Sequence, residues 1–280
     1  MAVYSDAHAA EDRWQRTLGN TRGEIHHAPA DYNCNLCMDK AFHPILMDRQ
    51  ELTDMHLQIR RMCHDLNAPI RAIHGFADIL QRREAEQLSE RGNMYLQRMV
   101  AATQTMERLV SRLHQYARLA THEVKLKPVA IAQFTEELIS AHYRKLPAGA
   151  SLQWQADQSL TWGSDPMLLE TILRELVENA LLYTKAESPA RANIAWSVEQ
   201  DRLLLAVSDA GIGIAPEYHQ RVFDLFERLH NRDQYAGAGA GLTMVLKAVS
   251  LLGGTIALAS ADGLGTTVQI SLPRLNGAGA

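Results

Sequence analysis

The sequence predicts an α+β fold, with a helical hairpin leading into a mixed sheet that carries helices on one face. Three observations predict it. Apolar residues repeat at sevens over residues 52–80 and again over 96–120. The helical period breaks at KLKPVA, residues 125–130. Beyond that break, helical segments alternate with short stretches of period two. Expected boundaries are a short N-terminal segment at 1–47, the hairpin at 48–122, the sheet domain at 123–274 and a tail at 275–280.

In the first helix Leu52, Ile59, Leu66, Ile73 and Leu80 repeat at sevens, and Met55, Met62, Pro69 and Phe76 lie three further on. This is an a/d seam sustained over four heptads. Within RMCHDLNAPIRAIHGF, residues 61–76, the seam puts His64 at f, away from the apolar stripe, so a core role for this histidine is disfavoured. Pro69 removes a backbone N–H and is expected to kink the helix just past His64, since proline in a helix interior costs about 3 kcal/mol. A polar break at Glu84 to Gly92 precedes a second seam through Leu96, Met99, Thr103, Met106, Val110, Leu113, Ala117 and Ala120. Two long helices with a short connection form an antiparallel hairpin. Two such hairpins would bury their stripes as a four-helix bundle, which predicts a homodimer. Met55, Met62, Met99 and Met106 fall on the seams and read as adaptable core. His56, His74, His114 and His230 match no motif and are expected on the surface.

After Pro128 the pattern predicts a helix IAQFTEELISAHYRKL and a strand SLQWQA. A second helix, DPMLLETILRELVENALLYT, opens with Asp165 at the N-cap and Pro166 at the first helical position. ANIAWSV and RLLLAVSD alternate as strands joined by a turn at Gln200 and Asp201. GTIALAS and GTTVQISLP form a last hairpin, turning at Asp262 and Gly263.

Composition narrows the function classes. With 46% hydrophobic residues, the 280-residue chain can bury a real core and divides naturally into two domains. Its 28 basic and 32 acidic side chains give no electrostatic case for nucleic acid. No apolar run approaches the roughly 18 to 20 residues needed to span a bilayer, so no membrane insertion is expected. The N-terminus lacks a basic and apolar leader pattern, and three cysteines suit a reducing compartment, so a cytoplasmic location is expected.

Two glycine clusters carry the chemistry, DAGIGI at 209–214 and GAGAGL at 237–242, the second running straight into the helix LTMVLKAVSLLG. Backbone N–H groups at a helix N-terminus bind phosphate. A dinucleotide-binding reading fails on context, because no strand-turn-helix unit with a following acidic residue surrounds them. Glu175 and Asn179 share a helix face at i, i+4, opposite Leu169, Ile172, Leu173 and Leu176, and with the glycines they outline a polar pocket. The asparagine oxygen suits Mg²⁺, a hard cation that keeps several waters.

On these residues the chain resembles the sensor histidine kinases. CHDLNAPIRAIHGFADIL is similar to their H-box and ELVENALLYT to their N-box, while DAGIGI and GAGAGL resemble the two glycine boxes and RVFDLFERLH the phenylalanine box. Order and spacing agree over residues 50–273, and FERLHNRDQYAGAGAGL most resembles the phytochrome-like branch, with no chromophore domain here. The resemblance implies a dimeric phosphotransfer hairpin joined to a Bergerat-type α/β sandwich that binds ATP and Mg²⁺. It makes His64 the phospho-acceptor, Asp65 its partner and Asn179 the Mg²⁺ ligand. Asp209 would accept a hydrogen bond from adenine, with Gly211 and Gly213 shaping the pocket. A lid from about Pro216 to Ala240 would bring Arg228 toward the γ-phosphate. Gly237, Gly239 and Gly241 would contact the phosphate chain, Leu242 of the second glycine box and Tyr183 of the N-box would also bind the nucleotide, and Thr267 would line the adenine end. A neutral imidazole nitrogen is available for in-line attack, since histidine's pKa is about 6.5, and the rest is positioning and charge neutralisation.

Several residues depart from the family pattern. Ala68 stands where many members carry threonine or asparagine, which puts phosphatase activity in doubt. Leu182 replaces a frequent lysine or arginine, with Lys185 either substituting or simply solvated. Glu175 is often asparagine in kinases and glutamate in the related ATPases, where it activates water; here it either shares that role or organises hydration around the metal. At the N-terminus His26, His27, Cys34, Cys37 and His43 lie close in sequence, either as a metal site or as a polar lead with incidental cysteines. The expected function is an ATP-dependent protein histidine kinase that passes phosphate from His64 to a response-regulator aspartate, with input from a separate sensor protein in trans. The alternative is a degenerate phosphotransfer scaffold, which the intact Asn179, Asp209 and glycine boxes disfavour and Leu182 and Ala68 keep open.

Overall fold

Two long helices lead the fold, α1 at Arg49–Arg83 and α2 at Glu90–Ala120. The computed structural model describes residues 49–275 except 187, 230–234 and 236–238, with side chains from residue 56 onward. The N-terminal cysteines and histidines, Gly237, His230 and the tail beyond 275 lie outside the described residues. Helix α1 continues through Pro69 without interruption. Ser89 caps α2, its hydroxyl accepting from the Gly92 N–H, and the Asn93 side chain ties back to the Ala85 carbonyl at 2.8 Å.

The hairpin closes on small residues. Cys63, Ile70 and Ala77, again seven apart, are buried with Leu96, Thr103 and Ala117 of α2. Thr103 spends its hydroxyl on the Met99 and Val100 carbonyls and so enters the seam satisfied. The a/d stripe of α1 does not face α2: Met62, Leu66, Ile73, Leu80 and, at 69% exposure, Phe76 remain open. The α2 stripe is split, with Leu96, Thr103 and Ala117 turned inward and Met99 and Met106 left outside. His74 and His56, expected on the surface, are half-buried between the two helices. His74 Nδ1 lies 3.4 Å from the Thr103 hydroxyl, and the His56 ring lies 6.3 Å from Tyr116. Each finds a polar or aromatic neighbour across the hairpin, which heptad position alone does not report.

The rest of the chain comprises β1 (Lys127–Ala130), α3 (Ile131–His142), β2 (Ser151–Gln155), β3 (Thr161–Ser164), α4 (Pro166–Leu182), β4 (Arg191–Glu199), β5 (Arg202–Asp209), α5 (Gly241–Leu251), β6 (Thr255–Ala261) and β7 (Gly265–Pro273). Five strands form a mixed sheet in the order β2-β4-β5-β7-β6, with only the β2 and β4 pair parallel. The sequence pattern missed β1 and β3, a two-stranded antiparallel ribbon. Pro128, opposite Gly163, obscured it, because proline is tolerated only where a strand does not need its N–H. Helix α3 ends four residues earlier than expected, where Tyr143 returns its N–H to Ile139 and packs its ring against the core. Gln200 and Asp201 turn β4 into β5 with φ of 47° and 60°, the left-handed pair that suits strand twist. Arg274 steadies that turn by pairing with Asp201 at 2.6 Å while stacking 4.2 Å over Trp162.

One face of the sheet is the core. Ile194, Trp196, Leu203, Leu205, Val207, Val268, Ile270 and Leu272 meet Leu168, Leu169, Ile172, Leu173, Leu176 and Val177 of α4 and Met244, Val245 and Ala248 of α5. Leu119, at the end of α2, joins the same cluster, so the hairpin is rooted in the sheet domain's core. Beside it His122 Nε2 donates to Asp165 Oδ2 at 2.8 Å, and the Lys125 N–H reaches the same oxygen at 2.7 Å. Asp165 Oδ1 meanwhile caps α4 at the Met167 and Leu168 N–H groups. Burial works to raise this carboxyl, and the donors from His122, Lys125 and Leu168 overcome it and hold it below the ordinary aspartate range.

Because that pKa is depressed in the folded state, its stabilisation is complete above the unfolded value near 4 and is lost as pH falls through the lower folded value. Asp165→Ala should therefore cost about 2 kcal/mol at neutral pH. Urea titrations should find that deficit shrinking below about pH 4.

Candidate active site

Helix α4 presents two faces. Its apolar side is spent on the sheet, which leaves Glu175, Glu178 and Asn179 on the rim of a cleft bounded by the end of β5 and the start of α5. The cap at Asp165 fixes where the helix begins, and the Tyr183 N–H closes its end on the Asn179 carbonyl at 3.0 Å.

At the far side β5 delivers Asp209. Both of its hydrogen bonds fall on Oδ1, from Gly211 N at 2.8 Å and Thr266 N at 3.1 Å. No described residue donates to Oδ2. Burial pushes this carboxyl above the usual range, against the pull of the two N–H groups. A side chain at Gly211 would collide with the Tyr183 carbonyl, the group that accepts the Ile212 N–H. Gly213 has φ of 74°, and a Cβ there would strike the Ala261 carbonyl. Residues 209–214 are thus threaded between the end of α4 and the β6–β7 turn.

Gly241 and Leu242 line the cleft at the N-terminus of α5, where no described side chain caps the first N–H groups of the helix. Gly239 lines it just before, Arg228 borders it with its guanidinium on the Tyr235 carbonyl, and Tyr183 lies 5.3 Å from the Tyr235 ring. Thr266, not Thr267, faces the cleft. Thr267 points to the opposite side of β7 and donates to the Ser208 hydroxyl at 3.0 Å, as strand alternation requires. Leu182 lines the cleft and Lys185 is exposed outside it.

Glu175 is almost wholly buried, with Oε1 2.5 Å from Arg112 Nη1, while Arg112 Nη2 reaches Glu178 Oε2 at 3.1 Å. Burial pushes Glu175 upward, opposed by Arg112 and, more weakly, by Arg174. Sequence reading missed Arg112, Glu178, Thr266 and His122. Glu178 and Thr266 were legible as neighbours of the motif residues, whereas one arginine on the polar side of a helix gives no signal. The donor set suits Mg²⁺: a Cβ at Gly241 would lie 3.0 Å from Glu175 Oε2 and 3.4 Å from the Asn179 amide, so hard oxygens converge there.

His64 stands on α1, with Asp65 beside it. Its Nδ1 lies 3.3 Å from Asp65 Oδ1, and the two side chains are 88% and 80% exposed. Cys63, one residue earlier, is fully buried, so the helix turns His64 outward.

Residues 54–122 match the family model described as His Kinase A (phospho-acceptor) domain, and residues 164–276 match the one described as Histidine kinase-, DNA gyrase B-, and HSP90-like ATPase. Together they take in well over half of the chain. It belongs to the sensor histidine kinase family. Among curated relatives, the phytochrome-like protein Cph1 of Synechocystis is 27% identical over 75% of this chain and 28% of its own length. Histidine protein kinase DivJ of Caulobacter vibrioides is 28% identical over 78% of this chain and 37% of its own. The chain thus spans roughly a third of the curated relatives it matches. Among solved structures, full-length ShkA in complex with AMPPNP has a TM-score of 0.58 at 22% identity, covering 79% of this chain and 46% of that one. Acinetobacter baumannii histidine kinase AdeS scores 0.53 at 21%, covering 76% and 98%. These likenesses establish the shared fold of hairpin and mixed-sheet domain. No described helix of this histidine kinase relative is long and apolar enough to cross a membrane.

The glycine loop offers a direct check of the cleft's construction. Gly213→Ala should cost roughly 1 to 3 kcal/mol, from the left-handed φ and the overlap with Ala261, read as a lowered urea midpoint.

Proposed function

We propose that this chain is an ATP-dependent protein histidine kinase that phosphorylates His64 and hands the phosphoryl group to an aspartate of a response regulator. The observation that carries the reading is the division of the cleft. Asp209 presents at one end a carboxylate oxygen that no described residue bonds, while Asn179 and the start of α5, which no described side chain caps, stand at the other. Asp209 Oδ2 suits the exocyclic amine of adenine, and its Oδ1 is kept from swinging by two backbone donors. The N–H groups at Gly241 and Leu242 suit the phosphates, with Arg228 beside them. Mg²⁺, held through the Asn179 oxygen, would neutralise phosphate charge.

His64 supplies the nucleophile. Its Nδ1 faces Asp65, which holds the ring and balances the cation formed, so Nε2 is left to attack. A bond forms from Nε2 to the γ-phosphorus as the bond to the β-phosphate oxygen breaks, and ADP departs. Exposure of His64 also admits a second protein, the response-regulator receiver domain. The open stripe of Met62, Leu66, Ile73, Phe76 and Leu80 supports pairing with a second copy in a four-helix bundle, since apolar faces of that length are covered by partner helices.

Incubation with γ-labelled ATP should place acid-labile, base-stable phosphate on the protein, and His64→Gln should abolish it. Label persisting on another histidine of that variant would overturn the assignment. In parallel, Asp209→Asn should weaken ATP binding at least about tenfold, the effect of losing one hydrogen bond to a charged group. Asn179→Ala should remove the dependence of binding on Mg²⁺.

A further inference from the structure

Arg112 belongs to the hairpin, yet its guanidinium lines the nucleotide cleft of the sheet domain. It bridges Glu175 and Glu178, three residues apart on α4, and the burial that disfavours its charge is outweighed by these two carboxylates. Glu175 divides its oxygens. Oε1 is taken by Arg112, and Oε2 lies on the Gly241 side with the Asn179 amide. A divalent cation on Asn179 would therefore share one carboxylate with a guanidinium already seated there.

We infer that Arg112 is a hairpin-borne lock on the nucleotide cleft, displaced by the divalent cation that arrives with nucleotide. The inference rests on the nucleotide reading of the cleft. Two cations competing for one buried carboxylate repel strongly, because little water screens them. Release leaves no buried charge alone: Arg174 Nη2, on α4 itself, stays 3.6 Å from Glu175, and Glu178 is 39% exposed and can rehydrate. The hairpin would not detach. Leu119 remains in the core and His122 remains on Asp165, so residues 121–126 become the pivot.

The height of the lock fits this role. Thr103 meets His74 and Tyr116 meets His56, which places Arg112 within about one helical turn of the level of His64. Arg112 lines the cleft and His64 does not, so phosphoryl transfer to His64 of the same chain requires the sheet domain to shift on the hairpin. Opening the lock at the arrival of metal and nucleotide supplies that freedom when it is needed. Coupling of this kind is reciprocal: what loosens the hairpin must also tighten nucleotide binding.

Calorimetry with a non-hydrolysable ATP analogue tests it. With Mg²⁺ present, Arg112→Gln and Arg112→Met should each bind the analogue about fivefold tighter or more, the lower end of typical coupling between sites. With EDTA in place of Mg²⁺ the gain should vanish. Unchanged or weaker binding of both variants in Mg²⁺ would overturn the lock, and weaker binding in both conditions would make Arg112 a phosphate ligand instead. If the unmodified protein bound no analogue at all, the nucleotide reading would fall first and the lock with it.

Discussion

The amphipathic division of α4 is the constraint on which both core and site depend. Leu168, Leu169, Ile172, Leu173, Leu176 and Val177 are buried on the sheet, and the helical period then leaves Glu175, Glu178 and Asn179 no place but the cleft. The same helix carries Asp165 at its start, which caps it and receives His122 and Lys125 from the connection to the hairpin. Fold stability, polar rim and interdomain joint therefore share the seventeen residues of α4 and the cap residue before them. A slip of α4 by one residue would disturb all three together.

The hairpin follows a comparable economy. Small side chains, Cys63, Ala77 and Ala117, let the two helices approach each other, so the larger apolar residues of the a/d stripe stay outside. His64 sits on neither surface. It is carried by a helix whose adjacent residue is locked inside, which fixes its direction without covering it. Exposure and orientation, usually in conflict for one side chain, are both met.

Much of this was legible in the sequence because it is periodic or capped. The heptads gave both hairpin helices, Asp165 and Pro166 gave the start of α4, and the strands from Ala192 to Leu272 followed from alternation. The glycines at 211 and 213 pointed to a close-packed loop, though the carbonyls they make room for, those of Tyr183 and Ala261, are distant in sequence. What escaped was set by tertiary contact. Pro128 hid a short edge strand, and Thr267 was read for Thr266 because a single residue exchanges the two faces of a strand. Arg112 and His122 carried no local signal at all, since their partners lie 63 and 43 residues away.

The central claim is that the cleft between α4, the Asp209 loop and the start of α5 is where nucleotide binds. Amide hydrogen exchange, followed with and without Mg²⁺ and a non-hydrolysable ATP analogue, addresses it most directly. Nucleotide should slow exchange at residues 209–214 and 239–242 and leave the far strand β2 unaffected. Binding without protection at either loop, or protection confined to other segments, would contradict the account.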